Sequence, residues 1–94
     1  MNPHGRIARA LVASAAPFAV SPELRAVDER PWASATFAGS RLTITLALAG
    51  GDPAAWLASL PEANLPIPGR LVADLVVRSA SNTTATLEML LLET

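Results

Sequence analysis

The firmest alternation of apolar and polar positions runs from Trp32 to Leu48 and reads as a β-hairpin. Gly39-Ser40 suits a two-residue type II′ turn, because glycine accepts the positive φ at the first central position. That turn pairs Phe37 with Leu42, Ala35 with Ile44 and Ala33 with Leu46. One face then carries Ala33, Ala35, Phe37, Leu42, Ile44, Leu46 and Leu48, and the other carries Trp32, Ser34, Thr36, Thr43, Thr45 and Ala47. A second alternating region runs from Arg70 to Glu93 and turns near Ser81-Asn82. Leu71, Ala73, Leu75 and Val77 alternate with Val72, Asp74, Val76 and Arg78; Ala85, Leu87, Met89 and Leu91 alternate with Thr86, Glu88, Leu90 and Leu92. Keeping the apolar sets on one face requires a loop of odd length, and the expected register sets Val76 opposite Thr86 and Asp74 opposite Glu88.

Helical periodicity precedes each hairpin. Ile7, Leu11 and Ala15 recur every fourth residue, and Asn2-Pro3 supplies a capping side chain followed by proline. A helix from Pro3 to Ala15 follows, stopped before Pro17. Asp52-Pro53 repeats the start signal after Gly50-Gly51, and Trp56, Leu57 and Leu60 give a short second helix its apolar face. Between the first helix and hairpin, Phe18, Val20, Leu24 and Val27 could make a short strand, but Ser21-Pro22 breaks the run. Pro61, Pro66 and Pro68 make the later connection stiff and extended. The expected fold is α+β, a two-layer sandwich in the order α-β-β-α-β-β, with a four-stranded, mainly antiparallel sheet and two helices on one face. Strand order is not legible at this level.

Length and composition narrow the class. A chain of 94 residues holds one domain with one core. A hydrophobic fraction of 51% against 16% charged residues excludes disorder, although alanine thins the core behind that figure. Seven arginines face eight carboxylates, without the basic excess that nucleic-acid binding requires. Arginine in the complete absence of lysine, with abundant alanine, points to a GC-rich bacterial gene. No apolar run reaches the ~20 residues of a membrane span. Arg6 and Arg9 ahead of Ala10–Val20 resemble a poor signal peptide over residues 1–21; Ser14 and Pro17 interrupt it, and the cytoplasm is the expected compartment.

Candidate chemistry is sparse. The absence of cysteine removes thiolate nucleophiles and cysteine metal sites, and the single histidine, His4, has no spaced partners. Dinucleotide, phosphate-loop and nucleophile-elbow motifs are absent, so no catalytic, metal or cofactor-binding residue is assigned and no cofactor is expected. Asp74 facing Glu88 would be a directly opposed like-charge pair, able to share a proton or clasp a cation, or to be screened by Arg78 or Arg70 or offset by a bulge. Asp28-Glu29-Arg30-Pro31-Trp32 reads either as a solvated turn or as hot-spot chemistry at a binding surface.

The second sheet face is too apolar for free solvent exposure and too polar for a core. Its residues Trp32, Thr43, Thr45, Val72, Asp74, Val76, Arg78, Glu88 and Leu90 form a candidate interaction surface, and a homodimer or a protein partner is the expected occupant. A rival reading is a small-ligand site or minor enzyme, using a cleft between the proline-rich loop and the sheet lined by Trp32, Asp74, Arg78 and Glu88.

Overall fold

The computed structural model describes residues 4–63 and 65–93. Helix α1 (Gly5–Ala15) and a 3₁₀ turn (Ala16–Phe18) lead into strands β1 (Ser21–Ala33) and β2 (Ala38–Ala49). Helix α2 (Pro53–Ser59), a second 3₁₀ turn (Leu60–Glu62), β3 (Arg70–Ala80) and β4 (Thr84–Glu93) follow. The four strands form one antiparallel sheet in the order β1-β2-β4-β3, so the two hairpins meet through β2 and β4. Both helices pack on one face, giving the expected α+β order with a core between the layers.

The core follows the inward set of each strand. Leu42, Ile44, Leu46 and Leu48 from β2 and Ala85, Leu87, Met89 and Leu91 from β4 are buried against Ile7, Ala10, Leu11 and Ala15 of α1. Trp56 and Leu57 of α2 complete the layer. Trp56 is fully buried, and its indole N–H donates to Ser14 Oγ at 3.0 Å, which satisfies its polar edge and fastens α2 to α1. Asp52 caps α2 by accepting from the Ala55 N–H at 3.1 Å, with Pro53 in the first turn. The α1 start signal, Asn2-Pro3, lies outside the described residues. In the proline-rich connection Leu65 and Ile67 turn into the core while Pro66 and Pro68 stay exposed.

The first hairpin differs from the expected one. Its turn is Ser34–Phe37: the Ser34 N–H donates to the Phe37 carbonyl at 2.8 Å, and Ser34 Oγ accepts from the N–H groups of Thr36 and Phe37. Phe37 is therefore a half-exposed tip residue and does not pair with Leu42. Gly39 sits inside β2, opposite Trp32 on one side and Leu92 on the other. A Cβ there would lie 1.9 Å from the Leu91 carbonyl oxygen, so close backbone approach, rather than a positive φ, requires the glycine. Left-handed backbone comes instead at the end of β2, in Gly50 (φ +74) and Gly51 (φ +57); a Cβ on Gly51 would lie 2.1 Å from the Phe18 carbonyl oxygen. There the β2–α2 corner docks on the α1–β1 corner, with the Asp52 N–H donating to Phe18 at 3.1 Å.

Strand β1 begins at Ser21 and runs through both Pro22 and Pro31. Proline is tolerated because β1 is an edge strand, where a missing donor need not break a ladder on its open side. The run Asp28–Trp32 is accordingly strand and no turn.

Candidate functional site

The face of the sheet away from the helices is open, and register fixes its layout. Reading across β1, β2, β4 and β3, one outward row is Trp32, Gly39, Leu92 and Leu71. The next is Arg30, Arg41, Leu90 and Asp74, and the third is Asp28, Thr43, Glu88 and Val76. Ala26, Thr45 and Thr86 continue it. Leu71 is 53% exposed; Trp32, Val76 and Leu90 are half-buried, and Leu92 is buried despite facing outward.

Eight of the nine residues expected on this surface reach it. Val72 does not. A bulge between Val72 and Asp74 reverses the phase of β3 there, so Val72 pairs with Leu91 and packs against the core while Leu71 faces outward. A second bulge between Val77 and Ser79 shifts the register, setting Val76 opposite Glu88 and Asp74 opposite Leu90. The expected Asp74–Glu88 opposition is thus removed; the two carboxylates are diagonal neighbours. The directly opposed like charges of this face are instead Arg30 and Arg41.

Glu88 is held between two cations. One carboxylate oxygen accepts from Nε of Arg78, the bulge residue, and the other lies 3.7 Å from Arg41 Nη1. The Arg78 hydrogen bond, with a lesser attraction to both guanidinium groups, holds the Glu88 carboxyl below the usual glutamate range. A carboxylate kept ionised between two arginines is a structural tie and a poor proton donor.

A second polar cluster closes the edge of the inward face. Glu29 accepts from Ser40 Oγ at 2.8 Å and lies 3.1 Å from His4 Nε2, linking the start of α1 to β1 and β2. The Ser40 and then the His4 contact lower the Glu29 pKa. His4 is half-buried in this link. Both Ser40 and His4 bond to the Glu29 carboxylate. What sequence reasoning missed here was β1 itself, without which Glu29 had no assigned face.

The expected ligand cleft does not assemble. Trp32 is on β1 and Asp74 and Arg78 are on β3, the two opposite edges of the sheet, about 14 Å apart at ~4.8 Å per strand. The proline-rich connection sends Leu65 and Ile67 into the core on the helix side, and Pro61 at its start lies beside Asp74 at the β3 edge. A groove of about 580 Å³ beside β3 includes Asp74 with Leu57, Pro61 and Val77, and another of about 340 Å³ lies between Arg6, Arg9, Pro66 and Pro68. Neither contains Trp32, Arg78 or Glu88. Among the described residues no three of His, Asp and Glu are grouped to hold a metal ion. No helix among them is long and apolar enough to cross a membrane. No protein-family model, curated protein or solved structure matches the chain.

Proposed function

We propose that this protein is a non-catalytic interaction module that self-associates through the open face of its sheet. The observation that carries the reading is the make-up of that face: Trp32, Leu71, Val76 and Leu90 are wholly or partly exposed among three arginines (Arg30, Arg41, Arg78) and three carboxylates (Asp28, Asp74, Glu88). Apolar surface left uncovered on a small domain favours association. The balance of charge lets a second copy approach without net repulsion, and points to like meeting like rather than to a strongly acidic or basic partner.

The sheet edges favour the same occupant and the same mode. A further strand could not add easily to β1, which carries Pro22, Pro31, a bulge at Arg25 and alternating charges. Two bulges likewise interrupt β3. Edge pairing is blocked and face packing is left.

Light scattering across a hundredfold concentration range tests the proposal. The expected result is a dimer that Val76→Glu or Leu90→Glu converts to a folded monomer. A monomer at every concentration contradicts it.

The same reading has the chain acting in the bacterial cytoplasm. Helix α1, the segment that resembles an export signal, supplies Ile7, Ala10, Leu11 and Ala15 to the core and is not spare. Intact mass of the protein isolated from cells would retain α1 on this view; loss of the residues before Val20 would count against it.

A further inference from the structure

The outward grid contains an unbalanced row. Arg30 and Arg41 stand side by side at one end of it, and Asp74 stands at the other end, beyond Leu90. Arg41 is offset by Glu88. Arg30 has only an exposed contact with Asp28 on its own strand, at 3.6 Å, which contributes little in water. Asp74 forms no ion pair within the described residues. The ends of the neighbouring row are both apolar, Trp32 on β1 and the exposed Leu71 on β3. One edge of the face thus presents a cation beside an aromatic ring, and the other an anion beside an aliphatic side chain.

Such a face is complementary to itself under one kind of rotation. A two-fold axis parallel to the strands, running between β2 and β4, keeps every row in place and reverses strand order. It sets β1 of one copy over β3 of the other, in the aligned manner of sheets packed about 10 Å apart. An axis across the strands holds β1 over β1 and β3 over β3, so Arg30 and Asp74 never meet.

We propose that two copies pack open face to open face about the axis parallel to the strands, with Arg30 of each over Asp74 of the other and Trp32 of each over Leu71 of the other. This inference rests on the self-association reading and specifies its geometry. Each contact occurs twice by symmetry, so a single substitution acts at both ends of the interface.

Charge reversal tests it, with sedimentation velocity as the readout and far-UV circular dichroism to verify folding. Arg30→Glu alone and Asp74→Arg alone each place like charges together twice and should weaken the dimer at least tenfold. An equal mixture of the two variants restores both attractions and should form a heterodimer. The doubly substituted chain should regain the homodimer. Full dimerisation of both single variants, or a mixture that stays monomeric, overturns the proposed axis. If those variants dimerise while Val76→Glu still dissociates the chain, the open face remains the interface and only the axis fails. A wild-type chain that is monomeric throughout removes the self-association reading and this inference together.

Discussion

The two faces of the sheet come from alternate residues of the same strands, yet they meet opposite fates. On β2, Leu42, Ile44, Leu46 and Leu48 turn inward and vanish under the helices, while Arg41, Thr43 and Thr45 turn outward and remain accessible. The inward face is closed by contributions from every other part of the chain: α1, α2, and the Leu65 and Ile67 side chains that the prolines hold in place. Among the described residues, no helix packs on the outward face. Apolar residues are present on both, so apolar content alone does not separate core from interface. The difference lies in the company they keep: other apolar side chains inside, and Trp32, Leu71, Val76 and Leu90 interleaved with balanced charge outside.

Substitution on the inward face should therefore act on folding, and substitution on the outward face on assembly. The largest effect expected is at Ile44, which is wholly buried; Ile44→Ala should cost about 2–5 kcal/mol in urea unfolding followed by circular dichroism. A loss below about 1 kcal/mol would mean that the inward face is not the tightly packed side. Ser14→Ala leaves the buried Trp56 indole without its acceptor and should cost about 1–3 kcal/mol by the same measurement, with the helices still docked. Gly39→Ala sharpens the comparison, because its effect comes from the backbone between the faces. The added methyl would strike the Leu91 carbonyl and should destabilise the chain by about 1–3 kcal/mol, with slowed amide exchange of β2 and β4 becoming fast.

The smallest effect expected is that of acid. Glu29 and Glu88 have folded pKa values below their usual range. Their contributions are complete above the usual glutamate pKa and are lost as pH falls through the depressed folded values. Melting temperature should decline modestly between neutral pH and about pH 3, and Glu29→Gln together with Glu88→Gln should flatten that slope. An unchanged slope in the double variant would remove both links as sources of acid sensitivity.

Much of this architecture was legible in the residues. The second hairpin and the capped start of α2 rest on local chemistry that the fold keeps, with Asp52 capping and Pro53 following. The expected odd loop is even: Ala80 pairs with Ala85, the Ser81 N–H donates to the Thr84 carbonyl at 2.8 Å, and the bulge at Arg78 supplies the odd residue. The first hairpin was misread because Gly39 has two uses in strands. Turn chemistry and close backbone approach both select glycine, and only the neighbouring strand β4 distinguishes them. With the turn placed at Gly39-Ser40, the hairpin strand starts at Trp32 and the stretch before it reads at most as a short strand broken at Ser21-Pro22. The edge position that lets β1 run through both prolines cannot be seen before strand order is known. The open face survived this mistake, since β2 and β4 keep their alternation whichever strand precedes them. Val72 and the Asp74–Glu88 pairing did not survive, because a bulge adds a residue without leaving a sequence signal and shifts everything beyond it.

Self-association requires the outward face to meet its counterpart in a second copy. Its most direct test is solution mass by light scattering for wild type and Val76→Glu side by side, with urea unfolding of both. The expected result is a wild-type dimer and a variant monomer whose own folding free energy, per chain and extrapolated to low concentration, shifts by no more than about 1 kcal/mol. Identical masses for the two proteins, or a Val76→Glu chain that fails to fold, would contradict it.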